Sequence, residues 1–540
     1  MARNLVTEKF AGSTPRLADH LTAKNGAVRA VDCKLWHGTL ESWRAPRNIY
    51  TTNAATQSIY YAHNCCWLES TTCAHFAEGS PEQKHIFATQ YNDLGYPVRI
   101  ILDSECNETV LRLGLPVPTD RPTAIGTQAF SKGAVPRQYA YQFVDSLGNF
   151  SSLSEPSEEL IVEDGAAVLV SGWSVPTGGW DIVSIRIYRI IVAFESPLKE
   201  GENRVDATWM LVNTIPATQV SYTDTIADYD LIDALQEDVV EPPPANLRGI
   251  TWVKSMNCLA GFAGNTLYFS ENNNYHNWAH RLTLDDNIKA IVESNDIIYV
   301  ATDSAPYVVL GATDCKDAGC RKATRMAEPL PLVGSGYRSM VAVPSGAVYP
   351  SHSGLVLMRG REQPVMLTAP FYAPDDWQAL HPDTAKVKYH LGRVFAFFRN
   401  GAFCMAVRDG AGAQGELDYH TELSARPDEI HVTRTGRLML RTGTTIAEWD
   451  RGTTLLQHRY EAASVLLNVP FNFGAIQVSM EPGTEMIQLY CDDYLTLAET
   501  INTSEYFPLP LWATGLEFRW VLTGTATVKR VSLAPSVKEL

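Results

Sequence analysis

The feature that most constrains this chain is a loose repeat between residues 241 and 460. Short β-rich runs recur behind anchor positions that are 38, 50, 47 and 45 residues apart, at Ile250, Ile288, Arg338, Ala385 and Ile430. A period of about 40–50 residues with several strands in each unit is typical of β-propeller blades. A single blade cannot bury both of its faces, so blades must stack on their neighbours. The repeat therefore predicts β-propeller blades over 241–460.

The segments on either side of the repeat also have a β-rich pattern. Residues 1–130 contain short strand-like runs, which predict an N-terminal platform or the first propeller blades. Residues 461–540 break the period and predict a C-terminal β-domain that closes the ring or the platform. Long helical patterns are scarce in the chain. The predicted fold class is therefore all-β.

Residues 135–240 have the pattern of a separate inserted module. Tyr139, Tyr141 and Phe143 alternate with their neighbours as in a half-buried strand, and six or seven such runs in about 100 residues predict a β-sandwich. The motifs Tyr-x-Tyr, Asp-Ser-x-Gly, Ser-x-Pro-Ser and Arg-Ile-Tyr-Arg at 139–189 resemble those of a fibronectin type III-like unit. The structural interpretation is a spacer, and the functional one is a receptor-binding module.

The charge of the chain is concentrated in this module. The whole chain has a net charge of −16, and residues 135–240, with 5 Lys and Arg against 17 Asp and Glu, carry −12 of it. No stripe of clustered Lys and Arg is present, so the sequence excludes a tight nucleic-acid binder that works by displacing counterions.

A second resemblance covers most of the chain. Its residues are Pro-Pro-Ala-Asn-Leu-Arg-Gly-Ile at 243–250, Gly-Asn-Thr-Leu-Tyr-Phe-Ser at 264–270, Asn277-Trp278, and Thr-Asp-Ser-Ala-Pro-Tyr at 302–307 with Gly311. A leucine-proline segment at 507–512 and a Trp-containing strand pair follow near the end. This arrangement resembles the tail nozzle (tail tubular protein B-like) family of short-tailed bacteriophages.

The resemblance implies a structural virion protein that forms the distal nozzle of a short tail. Such a protein conducts double-stranded viral DNA through its lumen during ejection, without sequence specificity. The implied partners are further copies of the chain in a homohexameric ring, the tail adaptor ring and, as an additional expectation, tail fibres. The implied location is the virion tail, after assembly in the cytoplasm of the bacterial host.

The best candidate contact surface is the polar loop that follows residue 271. Asn, Tyr and Trp side chains suit interface recognition, and the candidate interface residues are Asn272, Asn273, Asn274, Tyr275, His276, Asn277 and Trp278. The competing interpretation is that Trp278 packs beneath its own loop.

The sequence predicts no catalytic residues, no cofactor and no metal site. Acidic pairs stand at 285–286, 375–376 and 492–493, but neighbours in a strand point to opposite faces and do not make a catalytic pair. Asp375 and Asp376 follow a proline and suit a helix N-terminus. Walker, Rossmann and zinc-protease motifs are absent. Two alternatives to the nozzle remain open, a tail adhesin that binds host glycans and a propeller-type glycan hydrolase.

The ten cysteines form no regular framework and predict buried, reduced thiols. Cys315 and Cys320 could bridge a hairpin tip, and Cys65, Cys66, Cys73 and His75 could be drawn as a zinc site, although their spacing matches no standard finger. The N-terminus has no apolar core of a secretory signal. The most apolar stretch, at 462–478, is interrupted by polar residues and predicts no membrane span.

Overall fold

The computed structural model describes residues 4–23, 25–79, 85–131, 134–194, 205–235, 239–310, 321–334, 336–407 and 420–540. Within these ranges the chain is almost entirely β, and its one α-helix, α1, spans Pro374–Ala379. Asp375 and Asp376 lie in the first turn of α1, where the helix dipole favours negative charge, as predicted. The possible bridge between Cys315 and Cys320 lies outside the described residues.

The chain forms two compact units. One consists of Met1–Thr71, Asp286–Gly311 and Lys322–Leu540, and the other of Thr72–Asp285 and Ala312–Arg321. The boundary at residues 285 and 286 divides the predicted propeller segment between the two units.

The first nineteen strands run to the end of the inserted module. They are β1 (Leu5–Thr7), β2 (Ala27–Val31), β3 (Cys33–Lys34), β4 (Glu41–Ser42), β5 (Arg47–Thr51), β6 (Ser58–Tyr61), β7 (Trp67–Ser70), β8 (His75–Glu78), β9 (Ile86–Thr89), β10 (Val98–Leu102), β11 (Glu108–Arg112), β12 (Thr123–Gly126), β13 (Ala134–Arg137), β14 (Tyr139–Val144), β15 (Leu160–Glu163), β16 (Val168–Ser171), β17 (Ser184–Phe194), β18 (Val205–Pro216) and β19 (Ser221–Asp224).

The next nineteen strands cover the repeat. They are β20 (Arg248–Val253), β21 (Cys258–Ala263), β22 (Thr266–Phe269), β23 (His280–Thr283), β24 (Ile288–Ser294), β25 (Ile297–Thr302), β26 (Tyr307–Leu310), β27 (Lys322–Arg325), β28 (Val341–Val343), β29 (Gly346–Pro350), β30 (Leu355–Met358), β31 (Val365–Met366), β32 (Lys386–His390), β33 (Arg393–Phe397), β34 (Ala402–Ala406), β35 (His420–Glu422), β36 (Glu429–Val432), β37 (Leu438–Thr442) and β38 (Thr445–Glu448).

The last eight strands follow the repeat. They are β39 (His458–Ala462), β40 (Val465–Asn472), β41 (Ala475–Met480), β42 (Glu485–Cys491), β43 (Tyr494–Ile501), β44 (Glu505–Pro508), β45 (Thr514–Gly524) and β46 (Val528–Ala534).

In the unit that contains residues 72–285, two four-stranded antiparallel sheets have the form of propeller blades, β8 to β11 and β20 to β23. Each is a simple meander, and the first strands β8 and β20 contact each other. Between them in sequence lies the β-sandwich, with sheets β12-β16-β19 and β14-β17-β18 and the pair β13-β15. Its first strand begins at Thr123, ahead of the predicted start at residue 135.

The two sandwich sheets share one apolar core, to which Tyr141, Ile187 and Val170 contribute. Serines at every third position, Ser151, Ser154 and Ser157, run beside β14. Each serine Oγ accepts a hydrogen bond of 3.0 Å from a β14 amide, in turn from those of Phe143, Tyr141 and Tyr139. The serine amides donate back to the carbonyls of the same three residues. Because the serines recur at every third position, their segment satisfies the main-chain groups along one edge of β14. No further strand is needed there.

In the other unit, four more groups of four strands follow in sequence, and each has the form of a propeller blade. Three are meanders, β24 to β27, β28 to β31 and β32 to β35. The fourth contains β36, β37, β38 and the N-terminal strand β5, with Thr51 facing Thr445 and Arg47 facing Glu448. Successive first strands β24, β28, β32 and β36 contact one another, as do β36 and β6. A strand from the start of the chain thus completes a blade formed by residues 429–448.

The C-terminal β-domain belongs to the same unit. Strand β2 pairs in parallel with β35 of a blade and antiparallel with β39, so one sheet runs from the blade through β39 and β45 to β43. Strand β1 pairs with β46 in a second sheet. Aromatic residues of both chain ends, Phe10, Tyr460 and Trp520, pack in the core of this domain.

These sheets confirm the predicted fold class. The chain is an all-β propeller protein with an inserted β-sandwich and a C-terminal β-domain. Among the described residues no helix has the length and apolarity of a transmembrane segment.

Candidate functional site

The loop proposed as a contact surface lies between β22 and β23. Asn272 and Asn273 are exposed and Asn274 is half-buried, whereas Tyr275, His276, Asn277 and Trp278 are buried. Only the three asparagines therefore present surface to a partner in this structure.

The tryptophan of the loop packs beneath it. Trp278 is 1% exposed, and its Nε1 donates to the carbonyl of Tyr275 at 2.9 Å. The Trp278 amide donates to the Glu241 carbonyl, and the Asn277 Oδ1 accepts from the Glu241 amide at 3.1 Å. The loop is thus tied to Glu241, which precedes Pro242-Pro243-Pro244. The structure agrees with the interpretation that Trp278 packs beneath its own loop.

The buried half of the loop lines a cavity. The cavity has a volume of about 390 Å³ and lies within the unit that contains residues 72–285. It is lined by strands β9, β10 and β11, by the turn after β14, by the loop before β17 and by the loop after β22. The side chains that carry its polarity are Arg99, Arg112, Asp145, Asp181, Asn149, Asn273 and His276, and Phe87 and Tyr275 add aromatic surface.

One arginine of the cavity is held by two carboxylates. Arg99 is 7% exposed, and its guanidinium lies 2.6 Å from Asp181 and 3.5 Å from Asp145. Asp145 also accepts the amides of Leu147 and Asn149, each at 2.9 Å, and Asp181 accepts the hydroxyl of Ser146 at 2.6 Å. The Asp-Ser-Leu-Gly-Asn turn at 145–149 therefore does more than reverse the chain, because its aspartate also compensates the buried Arg99 charge.

The second arginine is held by aromatic rings. The Arg112 guanidinium lies 4.0 Å from the centre of the Trp180 ring and 4.7 Å from that of Tyr96. No carboxylate within salt-bridge distance of Arg112 occurs in the described part of the chain. Burial lowers the pKa of Arg112 from its usual value, and the side chain remains charged at neutral pH. Arg112 therefore supplies a fixed positive charge at the cavity wall.

The histidine of the loop is neutral. His276 is 7% exposed, and burial lowers the pKa of its imidazole to about 4. Neither ring nitrogen has a hydrogen-bond partner among the described residues. Both ring nitrogens are enclosed by the surrounding protein.

Sequence reasoning included His276 and Asn273 in the loop but missed Arg99, Arg112 and Asp181. Arg99 stands in a β-rich run at 98–102 with apolar neighbours, which is the pattern of a buried strand. A charged residue in such a run requires a buried partner. The arginine within this apolar run is therefore the sequence signal for a buried ion pair. The partners come from a module more than 40 residues away, so the sequence could not identify them.

The acidic pairs have structural roles. Asp286 accepts hydrogen bonds from Tyr307 and Arg325 at 3.0 and 3.1 Å. Asp492 lies in the turn between β42 and β43 and accepts the amides of Leu516 and Glu517. These contacts explain the two acidic residues without catalysis.

In the C-terminal β-domain, a serine, a histidine and a glutamate are hydrogen-bonded in a row, as in the catalytic triad of a hydrolase. Ser42 Oγ lies 2.8 Å from His458 Nδ1, and His458 Nε2 lies 3.1 Å from Glu485 Oε1. His458 and Glu485 have no exposed surface, and Ser42 is buried. A substrate has no access to these groups, so they form a buried network that links the N-terminal segment to β39 and β42.

Two cysteines differ from the expectation of reduced thiols. Cys66 and Cys106 are disulfide-bonded, whereas Cys33, Cys258, Cys404 and Cys491 are buried thiols. Its disulfide bond removes Cys66 from the zinc set drawn at 65–75. In the described residues, no group of three or more His, Cys, Asp or Glu is placed to hold a metal ion.

Comparisons with known proteins give weak structural likeness only. No family model and no curated protein matches the chain. Among solved structures, Hsv2 of Kluyveromyces marxianus matches with a TM-score of 0.25 and 11% identity over 57% of this chain and 71% of that one. Sqt1 of Saccharomyces cerevisiae matches with a TM-score of 0.27 and 8% identity over 76% and 99% of the two chains.

A third match is the extracellular domain of a putative one-component system of B. thetaiotaomicron. Its TM-score is 0.28 at 8% identity, over 91% of this chain and 68% of that one.

Proposed function

We propose that the chain is a structural virion protein that forms the nozzle of a short bacteriophage tail. The proposal starts from the resemblance at 243–250, 264–270 and 302–307. It is supported by one structural observation, an exposed apolar surface on the C-terminal β-domain. This surface, called here the apolar end, consists of Leu466, Val469, Tyr494, Leu495, Leu511, Trp512 and Leu516.

Hydrogen bonds join the segments that carry the residues of the apolar end. Asn472 Nδ2 donates to the carbonyl of Leu511 at 3.1 Å and so ties the 510–513 segment to the end of β40. The Asp492 side chain accepts the Leu516 amide at 2.9 Å and so ties the β42–β43 turn to the start of β45. Leu511 and Trp512 are 89% and 66% exposed. Exposed apolar surface is often an association surface in soluble proteins.

An association surface at one end of a domain suits a ring. A ring forms when a patch on one copy meets a different patch on the next and the rotation closes. The proposed assembly is a homohexameric ring that sits below the tail adaptor ring and can also dock fibres. Strand β1 pairs with β46, so residues 5–7 contribute to a sheet of the C-terminal β-domain.

The charge of the chain is compatible with a DNA conduit. A conduit must let the phosphate backbone pass, so it should not neutralise many phosphates at once. The net charge of −16 and the absence of basic stripes in the sequence meet this requirement. Double-stranded DNA would pass through the lumen without sequence-specific contacts.

The oligomeric state of the purified full-length chain tests the proposal. We expect hexameric rings by negative-stain microscopy and mass photometry, alone or on addition of adaptor rings. The double variant Leu511→Asp, Trp512→Glu should remain folded but lose ring formation, because it places charge on the apolar end. The matched control, Ile232→Glu, changes a side chain that is 84% exposed in the inserted module and should assemble normally. A monodisperse monomer that never joins adaptor rings would contradict the proposal.

A further inference from the structure

Arginines from two distant segments meet at the blade that β5 completes. The pairing of β5 with β38 places Arg47 opposite Glu448, which is 401 residues away in the sequence. The Glu448 side chain is 3% exposed, and its carboxylate lies 2.7 Å from Arg47, 3.5 Å from Arg451 and 3.8 Å from Arg437. One nearly buried carboxylate therefore gathers three guanidinium groups.

Two further arginines lie beside these three. The Arg44 amide donates to the carboxylate of Asp450, the neighbour of Arg451, at 2.8 Å. Arg434 lies in the turn between β36 and β37 that also carries Arg437, and both Arg44 and Arg434 are exposed. This surface, called here the basic patch, consists of Arg44, Arg47, Arg434, Arg437 and Arg451.

The carboxylates near the basic patch do not neutralise it. Residues 34–51 and 434–451 together contain 7 Lys and Arg against 3 Asp and Glu, a net charge of +4. Asp450 is also paired with Lys34 at 2.7 Å. The side chains of Arg47 and Arg451 are 57% and 65% exposed, so both are accessible to a partner. Guanidinium groups bind carboxylates and phosphates through charge-assisted hydrogen bonds, so the partner of this surface is anionic.

A complementary surface lies in the inserted module. Residues 155–164 contain no Lys or Arg, and their five acidic residues are all exposed: Glu155, Glu158, Glu159, Glu163 and Asp164. Arg121 pairs with Glu155 and Glu158 at 3.4 and 2.8 Å. Glu159 and Glu163 have no ion pair within the described ranges of the chain. This acidic stretch therefore presents carboxylates that remain available to an outside cation.

The charge of the whole chain favours a second copy as the partner. At a net charge of −16 two copies repel each other unless oppositely charged surfaces meet. The basic patch and the acidic stretch lie in different compact units, and contact between two different patches on successive copies is the geometry that builds a ring. Duplex DNA is anionic along its whole length, whereas a second copy brings an acidic surface of limited size that matches five arginines.

We propose that the basic patch binds the acidic stretch at 155–164 of a second copy of the chain. The inference rests on the proposed function in requiring that copies associate, and it extends that function by naming two surfaces that meet. Complementary charges steer the encounter and fix the orientation of two partners more than they add affinity. In this arrangement the apolar end supplies apolar burial, and the basic patch sets how neighbouring copies are oriented.

Sedimentation velocity of the purified full-length chain at low and high salt tests the electrostatic contribution. We expect self-association to weaken roughly tenfold between about 50 mM and about 500 mM NaCl, because salt screens exposed charges. Self-association that is unchanged or stronger at the higher salt concentration would overturn the inference.

Charge reversal identifies the two surfaces. Arg44→Glu with Arg434→Glu, and separately Glu159→Arg with Glu163→Arg, should each weaken self-association roughly tenfold at low salt. The chain that carries all four substitutions should recover it, because the two surfaces have exchanged their charges. Lys254→Glu with Arg281→Glu is the matched control, since it changes the net charge as the first pair does at two exposed positions outside the patch and should have a smaller effect.

The outcomes separate this inference from the nozzle proposal. Hexameric rings that persist in every variant would overturn the inference and leave the nozzle intact. Charge-dependent association that stops at dimers would support the inference and contradict the hexamer. A four-substitution chain that does not recover, or a short DNA duplex that loses binding in Arg44→Glu, Arg434→Glu while self-association is unchanged, would overturn the inference. Should that variant fail to fold by circular dichroism, unchanged association in Glu159→Arg, Glu163→Arg alone would overturn it.

Discussion

At the scale of single residues, buried histidines connect segments that are distant in sequence. His420 has no exposed surface, and its two ring nitrogens lie 3.0 Å from Ser13 Oγ and 2.9 Å from the Tyr372 hydroxyl. The ring stacks on Phe371 with centres 4.9 Å apart. These contacts join an N-terminal segment to strand β35 of a blade.

His420 makes stability depend on pH. Burial lowers the pKa of His420 to about 3, whereas an unfolded histidine has a pKa of roughly 6.5. The unfolded state then binds the proton more readily, so the stability that neutral His420 contributes is complete above pH 6.5 and is lost as the pH falls towards 3. Each unit of the difference corresponds to about 1.4 kcal/mol.

Urea unfolding of the protein between pH 4 and pH 7 measures this effect. We expect His420→Gln to be less stable than the unsubstituted chain at pH 7 and to show a flatter decline of the unfolding free energy below pH 6.5. His352→Gln, in an exposed turn, is the control and should keep the original slope. An unchanged slope in His420→Gln would show that other groups cause the acid sensitivity.

At the scale of elements, strand β5 completes a blade whose other three strands lie within residues 429–448. The strand lies at the edge of the sheet β36-β37-β38-β5, and Tyr50 faces Ile446 across the pair. The carboxylate of Glu448, which is nearly buried, lies 2.7 Å from Arg47 of β5. The blade is therefore complete only when residues 47–51 return to it.

Proline at position 50 should open this blade. Tyr50→Pro removes a main-chain donor from the strand pair, and we expect a loss of about 1–3 kcal/mol beyond that of Tyr50→Ala, which removes the side chain but keeps the N–H. Hydrogen exchange of Glu429–Glu448, followed by mass spectrometry, should accelerate in the proline variant. Equal exchange in the two variants would mean that β5 contributes through its side chain alone.

At the scale of the whole molecule, the reactivity of buried cysteines can be used to follow the unfolding of each unit. Burial raises the pKa of Cys258 to about 11 in one unit and that of Cys404 to about 12 in the other. Cys65 is an exposed cysteine. Because the thiolate is the reactive form, exposure and pKa together should separate these residues by rate.

Alkylation with iodoacetamide at pH 7.5 and peptide mass spectrometry measure those rates. We expect Cys65 to react in the native protein, and Cys258 and Cys404 to react only as urea unfolds their respective units. Two different urea midpoints for Cys258 and Cys404 would indicate independent unfolding of the units, and one shared midpoint would indicate cooperative unfolding. Native-state labelling of Cys404 as fast as that of Cys65 would contradict the burial of β34.

The repeat at 241–460 was sufficient to predict propeller blades, because strand alternation and turn residues are local properties of a sequence. The same reasoning placed α1 correctly at Pro374, where a proline and two aspartates begin a helix. The structure of the polar loop at 272–278 could be predicted only in part. The sequence pattern indicates the loop itself, but the hydrogen bonds of Asn277 and Trp278 to Glu241 have no local signal.

By itself, the sequence determined the all-β class, the inserted acidic module and the period of the blades, since these depend on composition and on spacing along the chain. The tertiary structure alone decided which distant residues meet. It brought β5 to a blade nearly 400 residues later, Ser13 to His420, and Asp145 and Asp181 to Arg99. Buried charges and the main-chain groups of strand edges must be paired. The identity of each partner depends on the tertiary structure and cannot be read from local sequence.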